Sequence, residues 1–399
     1  MNATSKQTPV ERAETLVPLV REQADRAEAL RHLPAEVAAA FSRERLYRIA
    51  APAVCGGESA DPMMQIATIE AIARADGSAG WNLMIGIESF GLIAPAFKQC
   101  LDLIADPSVV MCSSTAAVGR AEKCAGGYRV KGQWQFVSGC HNSQIFGATV
   151  RLYDQGEPIE GVGNVYAILP LGQFEIVDTW HTSGLCGSGS HDVRVDDVVV
   201  PQERIVAPIG GYIDDSPLLR FPLGARLAYN KVAVALGIAR AACDAFAALA
   251  EGKVPRFTSK MLKTRAPAQR AIAQAEIRVR GSRALLFEQA EALWDAVVAG
   301  HGIPATQLAL FQAGCSDAVA GCAQAVDLVC DAAGTTANVK GHPLERLARD
   351  ARVVRQHVTV ASFHLDDCGR VLLGLPAENV MLRGFGGYPT GQPGVPPTR

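Results

Sequence analysis

The chain has 399 residues, of which 49% are hydrophobic and 20% are charged, and its net charge is −2. This composition is that of a globular protein long enough for two or three domains, and it offers no basic surface for nucleic acid or an anionic membrane. The N-terminus lacks the apolar stretch of a signal peptide, and the longest apolar run, 232–250, is interrupted by Arg240 and Asp244. The sequence therefore predicts a soluble, cytoplasmic protein.

Apolar residues recur at helical spacing through residues 10–105. They do so in ERAETLVPLVREQADRAEAL and in PAEVAAAFSRERLYRIA, where Pro34 stands at a plausible helix start. A second helical region follows the turn APAVCGGES, and its DGS triplet predicts a break. We therefore predict an N-terminal helical domain over residues 1–107.

The pattern changes at residue 108. Short β-prone segments follow one another up to residue 207, among them GYRVKGQWQFVS, QIFGATVRLY and HDVRVDDVVV. Turns that contain Gly and Asp separate these segments. This arrangement predicts a compact antiparallel β-domain over residues 108–207.

Long helices are predicted again in the last part of the chain, residues 208–399. The candidates are rich in Ala and Leu and cover 225–250, 266–300, 304–333 and 343–374. Four long helices with short connections predict an up-and-down bundle. The tail GFGGYPTGQPGVPPTR is rich in Gly and Pro and is predicted to be extended or disordered.

The eleven cysteines stand singly, their number is odd, and no two form a C-x-x-C pair. In a chain without an export signal, this pattern predicts reduced thiols rather than disulfides or a zinc site. His141, His181 and His191 fall within the predicted β-domain but lack the spacing of metal ligands. We therefore predict no metal site.

The segment most informative about function is VDTWHTSGLCGSGSHDVRVDDVVVPQER, residues 177–204. It resembles the W-x-x-x-G-x-x-G-[TS]-x-S-x-D-V-x-V-x-D-V-x-V-P segment of the acyl-CoA dehydrogenase superfamily. Further segments resemble that superfamily in the same order: LPAEVAAAFSRERLYRIAAPAVCGG, ARADGSAGW, GGYRVKGQWQFVSG and PLERLARDARVVRQHVTV. The resemblance implies an α+β, acyl-CoA dehydrogenase-like fold that binds flavin, with an N-terminal helical domain, a central antiparallel β-barrel and a C-terminal four-helix bundle.

A dehydrogenase of this superfamily needs a carboxylate to remove the α-proton of the acyl-CoA. The usual Glu stands nine residues after the Arg of an R-D-A-[KR] motif; counted from Arg349, that position is Val358, and His357 precedes it. The second position known for this Glu falls near Leu227, where no acid is present. Dehydrogenation is therefore disfavoured.

The run RDARVVRQHV resembles instead the R-D-x-R-x-x-x-x-H pattern of the two-component flavin-dependent monooxygenases in the same superfamily. This resemblance implies an oxygenase component that receives reduced flavin, FADH2 or FMNH2, from a separate NAD(P)H-dependent flavin reductase. With O2 such enzymes form a C4a-hydroperoxyflavin and hydroxylate an aromatic or heteroaromatic molecule, phenolic or indole-like. The resemblance also implies a homotetramer.

Two alternatives remain open from the sequence. One is an FAD-dependent acyl-CoA-type dehydrogenase or oxidase with an unrecognised base, which would be reduced by an acyl thioester without a reductase. The other is a binding or scaffold protein that kept the fold and lost the flavin. Tests of flavin binding and reduction distinguish them.

His357 and Ser138 are the candidate catalytic residues. A His near its ordinary pKa of about 6.5 could accept a proton from a phenol or a ring N–H, or act as a hydrogen-bond partner. By resemblance, Ser138 in FVSG matches the position whose hydroxyl contacts the flavin N5 edge. The structural alternatives are a helix His that faces solvent or the core, and a Ser that ends a strand.

Other residues of the predicted β-domain are candidates for flavin binding. Trp134 and Phe136 alternate with Ser138 along one strand, so all three are predicted to share a face. The resemblance implies that an aromatic ring near this strand lies against the isoalloxazine. Ser188 and Ser190 flank Gly189 in a turn whose backbone N–H groups could cradle phosphate. The structural alternatives are barrel-core packing for the aromatic rings and a tight turn for the serines.

Three further positions complete the candidate site. Trp81 and Glu88 lie seven residues apart, so on a helix they share a face, which is predicted to line the substrate side with His357. Several aromatic hydroxylases of the resembled group carry His near the position of Glu88; a carboxylate there could accept a hydrogen bond from a substrate N–H, although a surface Glu is the commoner outcome. Arg256 could reach the flavin phosphate or ribityl chain of a neighbouring subunit, or be merely exposed.

Overall fold

The structure is a computed structural model that describes residues 7–207, 212–213 and 215–383. The Gly/Pro-rich tail predicted at 384–399 lies outside the described residues. The described chain contains a helical N-terminal part, a single sheet and a second helical part, in that order. The α+β class predicted from the sequence is confirmed.

In the part of the chain that the structure describes, four α-helices precede the sheet: α1 (Pro9–Leu30), α2 (Ala35–Arg43), α3 (Pro62–Ala75) and α4 (Gly77–Leu92). The break predicted at the DGS triplet is present, because the Asp76 side chain accepts the Ala79 N–H at 2.8 Å and caps α4. Helix α4 is buried along nearly its whole length. It therefore presents side chains both to the other helices and to the sheet.

Among the described residues the sheet has eight strands, in the order β6-β7-β2-β1-β3-β5-β8 with β4 beside β3. The strands are β1 (Met111–Cys124), β2 (Gly127–Val137), β3 (Ile145–Asp154), β4 (Glu157–Pro158), β5 (Val165–Pro170), β6 (Glu175–Val177), β7 (His191–Val200) and β8 (Ile205–Val206). Two details correct the prediction of a closed antiparallel barrel. The sheet is open among the described residues, with edge strands β6 and β8 of only 3 and 2 residues. Strands β1 and β3 are parallel, because the chain reverses twice between them and β3 pairs with the side of β1 that β2 leaves free.

Strand β2 does not alternate as predicted near its end. Trp134 is fully buried and donates its indole N–H to Thr149 O at 2.9 Å, whereas Phe136 is 69% exposed. Phe136 has a φ of 58°, and the register against β7 shifts between Trp134 and Val137. Such a bulge adds a residue to one strand and reverses the side on which the next side chains lie. The prediction that Trp134, Phe136 and Ser138 share a face is therefore wrong.

The helices after the sheet are α5 (Pro217–Arg220), α6 (Leu223–Gly252), α7 (Ala266–Val298), α8 (Ala305–Ala333), α9 (Pro343–Val354), α10 (His364–Leu372) and α11 (Val380–Arg383). Helices α6, α7 and α8 confirm three of the predicted long helices. By length and composition α6 could cross a membrane, but most of its apolar stretch is buried inside the protein. It is therefore the core helix of the bundle.

The fourth long helix, predicted over 343–374, is interrupted. Helix α9 ends at Val354 and α10 begins at His364. In the turn between them, the Thr359 N–H donates to His357 Nδ1 at 3.3 Å. A side chain that captures a nearby backbone N–H competes with the helical hydrogen bond, and the run Val358–Thr359–Val360 is β-branched. His357 therefore lies in a turn and not on a helix face.

Candidate active site

Three predicted site residues meet where α4, the end of β2 and the turn after α9 come together. The Trp81 indole N–H donates to Ser138 Oγ at 3.0 Å. The rings of Trp81 and His357 form an edge-to-face pair with centroids 5.3 Å apart. Trp81 and Ser138 are buried. The structure thus brings Trp81, Ser138 and His357 together from three separate parts of the chain.

Ser138 begins a row of three buried hydroxyls. Its Oγ lies 2.6 Å from Ser190 Oγ, which lies 2.7 Å from Ser188 Oγ. Two mutual hydrogen bonds use two of the three hydroxyl hydrogens, so one hydrogen is left for an acceptor outside the row. When Ser188 donates to Ser190 and Ser190 donates to Ser138, the free hydrogen belongs to Ser138. This arrangement lets Ser138 donate to a bound group.

The turn that contains Ser188 and Gly189 is closed on itself. The Ser188 N–H donates to Leu185 O at 3.0 Å and the Gly189 N–H donates to Cys186 O at 3.4 Å. Donors that are already used inside a turn are not available to an anion. The Ser188 and Gly189 N–H groups are therefore used inside the turn, and the hydroxyls of Ser188 and Ser190 belong to the row; a phosphate contact at Ser188 and Ser190 stays a prediction.

His357 is held from its Nδ1 side. Besides the Thr359 N–H, Thr359 Oγ1 lies 2.9 Å from Nδ1 and 3.2 Å from Leu227 O. A backbone N–H can only donate, so Nδ1 accepts and the proton of the neutral ring is on Nε2. Burial, followed by the charge of Lys231, lowers the pKa of His357 to about 3. His357 is therefore a neutral ring whose Nε2–H can donate, which favours a hydrogen-bond partner over a base.

Glu88 is neither on the surface nor open to a substrate. Its side chain is buried, and Lys231 Nζ lies 2.5 Å from Oε1 and 2.7 Å from Oε2. Asn230 Nδ2 donates to Oε1 at 3.1 Å. The surface alternative for Glu88 is wrong. Its carboxylate already binds Lys231 and Asn230 of α6, so it is not free to accept a hydrogen bond from a substrate N–H.

The sequence interpretation omits Lys231, Asn230 and Thr359. A signal for Lys231 exists in LAYNKVAVALG, where a single cation stands in an otherwise apolar helix. Lys is almost never fully buried unless it is paired, so a Lys in such a run indicates a buried counter-ion. No comparable signal exists for Thr359, because its role depends on the break after α9.

Two aromatic rings pair beside the end of β2, the exposed ring of Phe136 and the buried ring of Trp180. Phe136 and Trp180 form an edge-to-face pair with centroids 6.2 Å apart, and the Trp180 indole N–H donates to Leu185 O at 3.1 Å. Trp134 is a core residue and cannot wall an open pocket. Of the two aromatic residues predicted on β2, Phe136 is the one with a ring free to stack on a ligand.

These groups fit a flavin. The exposed Phe136 ring offers an apolar face for the planar isoalloxazine. The spare hydroxyl hydrogen of the serine row and the Nε2–H of His357 are donors for its polar edge or for a molecule bound beside it. The residues present therefore match the chemistry of the cofactor.

Arg349 and Asp350, neighbours on α9, have different partners. Arg349 donates to the carboxylates of Glu345 and Glu28, each at 2.8 Å. Asp350 accepts the Leu185 N–H at 2.6 Å, and its burial raises its pKa to about 7. Both side chains therefore join α9 to other parts of the chain, and Asp350 holds the loop that positions Trp180.

Arg256 lies in the connection between α6 and α7 and is exposed. Its neighbour Phe257 is fully exposed and has a φ of 61°. Val358, at the position of the dehydrogenase base, is 65% exposed and apolar. The described chain thus places Arg256 away from its own Trp81–Ser138–His357 cluster and supplies no acid at Val358.

Comparison with known proteins identifies the class. Residues 229–362 match the family model "Acyl-CoA dehydrogenase, C-terminal domain". The structure of XiaF from Streptomyces in complex with FADH2 and glycerol superposes with a TM-score of 0.85, at 23% identity, over 93% of this chain and 96% of that one. The fold is that of the acyl-CoA dehydrogenases.

Two relatives narrow the assignment. The chain is 31% identical to the indole-3-acetate monooxygenase of Pseudomonas putida over 345 residues, which are 86% of this chain and 88% of the relative. It is 29% identical to the oxygenase component of p-hydroxyphenylacetate 3-hydroxylase from Acinetobacter baumannii, over 95% of this chain and 94% of the relative. The protein belongs to the flavin-dependent monooxygenases of the acyl-CoA dehydrogenase superfamily, and it is an oxidoreductase.

Proposed function

We propose that this monooxygenase is the oxygenase component of a two-component system. A separate NAD(P)H-dependent flavin reductase supplies FADH2 or FMNH2, and the protein uses O2 to hydroxylate an aromatic or heteroaromatic molecule. The observation that carries the proposal is the meeting of Trp81, Ser138 and His357 beside the exposed ring of Phe136. When bound, the reduced flavin supplies the activation of O2 and the transfer of one oxygen atom; the protein supplies binding, orientation and exclusion of water.

Each residue has a distinct role in this proposal. Phe136 packs against the flavin ring system, and Ser138 donates its hydroxyl hydrogen to the flavin edge. Trp81 fixes Ser138 through the indole N–H. His357 donates from Nε2 to the substrate or to the oxygen being transferred, and its Nδ1 stays bound to Thr359. Ser188 and Ser190 orient the hydroxyl of Ser138.

The substrate is proposed to be phenolic or indole-like. The two relatives are named for an indole acid and a hydroxyphenyl acid, which supports an aromatic ring of that size. Trp81 lines the substrate side with His357. Because Nε2 carries a proton, the atom that faces His357 is an acceptor, such as a phenolic or carboxylate oxygen. Glu88 is excluded from direct recognition by its pairing with Lys231.

The assembly is proposed to be a cytoplasmic homotetramer whose chains divide into domains at residues 1–107, 108–207 and 208–399. The exposure of Arg256 and of the adjacent Phe257 supports a contact across subunits, since a fully exposed Phe in a left-handed conformation is unfavourable in a monomer. Arg256 is proposed to reach the phosphate or ribityl chain of a flavin bound to a neighbouring subunit.

Oxygen incorporation from labelled O2 tests the proposed function. Reduced FAD or FMN is mixed anaerobically with the protein and an aromatic panel that includes indole-3-acetate and 4-hydroxyphenylacetate, and ¹⁸O2 is then admitted. We expect a product that carries one ¹⁸O atom. Absence of any labelled product across the panel, together with reduction of bound FAD by an acyl thioester without a reductase, would establish the dehydrogenase alternative instead. Failure to bind either flavin would establish the scaffold alternative.

A further inference from the structure

Asn82 is a buried amide beside the serine row, the linked hydroxyls of Ser138, Ser190 and Ser188. Its Nδ2 lies 3.1 Å from Gly187 O and 3.3 Å from Ser188 O. It also lies 3.1 Å from Ser78 O of its own helix, α4. All three neighbours are carbonyl oxygens, which only accept hydrogen bonds, so the amide must face them with its nitrogen. Asn82 therefore joins α4 to the turn that carries Ser188.

Asn82 also lies against the end of β2. A Cβ placed at Gly139 would be 3.0 Å from Asn82 Oδ1, and Gly139 has a φ of 76°. A side chain at this position would meet both close contact and backbone strain, so glycine suits it. The Gly139 N–H donates to Ser188 O at 3.0 Å, the same oxygen that Asn82 contacts. One amide thus contacts both chain segments that form the serine row.

Two consecutive residues of α4 hold the two ends of the serine row. Trp81 donates its indole N–H to Ser138 Oγ at one end, and Asn82 contacts the backbone of Ser188 at the other. Because neighbouring residues of a helix are fixed relative to each other, α4 sets the separation of Ser138 and Ser188. The oxygen–oxygen distances of 2.6 and 2.7 Å along the row leave little tolerance for displacement of either end.

The Ser188 end of the row decides which way its hydrogens point. Ser188 is 1% exposed, and among the residues that the structure describes, Ser190 Oγ is the one hydrogen-bond partner of its hydroxyl. A hydroxyl hydrogen turned elsewhere would be buried without an acceptor, which is unfavourable. Ser188 therefore donates to Ser190, and Ser190 donates to Ser138. The hydrogen of Ser138 is left for a bound group.

We propose that Asn82 is a positioning residue for the Ser138 donor. By holding Ser188 against the end of β2, Asn82 keeps Ser190 in contact with a donor on its far side. If Ser188 moved away, Ser190 Oγ would be free to accept from Ser138, and the Ser138 hydrogen would turn from the bound group into the row. The inference rests on the proposed function for the identity of that group, the flavin edge. The connection from Asn82 to Ser138 does not depend on it.

The Trp81 indole N–H reports on Ser138 in the flavin-free protein, because it donates to Ser138 Oγ. The chain contains four tryptophans, so NMR of protein with ¹⁵N-labelled tryptophan gives four indole signals. The Trp81 signal is assigned by its loss in Trp81→Phe. Trp134, whose indole N–H donates to Thr149 O, is the internal reference.

The test variant is Asn82→Ser. A helical Ser can donate to the carbonyl four residues earlier, here Ser78 O, but it is too short to reach the turn. The substitution therefore removes the contacts with Gly187 and Ser188 and leaves α4 satisfied. Asn142→Ser is the matched control, because Asn142 Nδ2 donates to a carbonyl outside the serine row, Leu33 O, at 2.8 Å.

In Asn82→Ser we expect the Trp81 signal to shift and its hydrogen exchange with solvent to become faster on the order of tenfold, as for a weakened buried hydrogen bond. The Trp134 signal, and both signals in Asn142→Ser, should stay in place. Ser188→Ala should also shift the Trp81 signal, because Ser190 loses its donor. The double variant Asn82→Ser/Ser188→Ala should shift it no further than Ser188→Ala alone. An unchanged Trp81 signal in either folded single variant, or additive shifts in the double variant, would overturn the inference.

Product formation gives the functional readout. In Asn82→Ser, product formed per reduced flavin oxidised should fall on the order of tenfold, because the Ser138 donor loses its direction. Binding of reduced flavin should change little, since Phe136 is unaffected. An unchanged product yield beside a shifted Trp81 signal would refute the positioning role. Absence of oxygenated product from the unmodified protein would instead refute the proposed function, with the NMR result unaffected.

Discussion

In the proposed function, His357 carries the chemistry that Val358 cannot supply. Val358 is exposed and has no proton to exchange, whereas His357 is fixed through Nδ1 and offers Nε2–H beside Trp81. A hydrogen bond that holds one ring nitrogen fixes both the tautomer of the imidazole and the direction in which the other nitrogen points, as in other sites where a histidine acts through one of its two nitrogens. The functional group of the site is thus a hydrogen-bond donor of fixed direction.

Replacement of His357 by Ala should therefore affect oxygen transfer and not cofactor binding. We expect coupled product formation to fall on the order of a hundredfold, the size typical of removing one aligned donor or acid–base group. Binding of reduced flavin, followed by fluorescence quenching, should change little, because Phe136 and Ser138 remain. His301→Ala, at an exposed position after α7, is the control. Product formation at the normal rate in His357→Ala would remove His357 from the mechanism.

The turn between α9 and α10 is the element that orients His357 for its proposed role. Helical periodicity in the sequence extends over 343–374 without a gap, so pattern reasoning predicts one helix. The break depends on the capture of the Thr359 N–H by His357 and on the contact of Thr359 with Leu227, 132 residues earlier. The hydrogen bond from the Thr359 N–H to His357 competes locally with the helix, and helical periodicity does not reveal it. The contact of Thr359 with Leu227 is long-range, and no local sequence pattern predicts it.

Thr359→Val tests the importance of this turn. The substitution keeps the shape and the backbone N–H but removes the hydroxyl that contacts His357 Nδ1 and Leu227 O. We expect a loss of about 1 to 2 kcal/mol in the free energy of unfolding, because His357 Nδ1 loses the hydrogen bond from the buried hydroxyl. Product formation per flavin oxidised should also fall as the His357 ring gains freedom. Urea denaturation and product yield are the two measurements. A variant as stable and as well coupled as the unmodified protein would show that the backbone contact alone fixes the turn.

At the scale of the whole molecule, the order of helices, sheet and helices was predictable because each part has its own hydrophobic period. What was not predictable is how the parts meet. The bulge at Phe136 reverses the side on which that ring lies, and the pairing of Lys231 with Glu88 joins residues 143 positions apart. Both depend on tertiary contacts. They decide which residues of a correctly predicted strand and helix take part in the site.

A second junction, between the end of α1 and the sheet, contains a cluster of histidines that we call the histidine seam: Arg31, His32, His141, Asp178 and His191. The rings of His32 and His141 are stacked with centroids 4.2 Å apart, and His141 and His191 are 4.8 Å apart. Arg31 donates to Asp178 Oδ2 at 2.8 Å. Protonation of any of the three imidazoles would add positive charge beside an arginine. The histidine seam should therefore be most stable when the rings are neutral.

The histidine seam is expected to make the folded protein less stable in mild acid. Burial, together with the neighbouring His32 and His191, lowers the pKa of His141 to about 4, against about 6.5 in an unfolded chain. Between these pH values the unfolded state binds the proton and the folded state does not. The contribution of His141 is therefore complete above pH 6.5 and is lost as the pH falls toward 4. His357 acts with the same sign, whereas Asp350, whose pKa is raised to about 7, opposes it.

A comparison with His141→Gln isolates the contribution of the seam, because His357 and Asp350 are common to both proteins. We expect the Tm of the unmodified protein to fall further than that of the variant between pH 7.5 and pH 4.5, by on the order of 1 °C in a chain of this size, since the ring is partly exposed and solvent screens its charge. His301→Gln, an exposed His remote from the seam, should follow the unmodified protein. Parallel curves of Tm against pH for all three proteins would show that protonation of His141 does not destabilise the folded protein. The histidine seam would then not respond to pH.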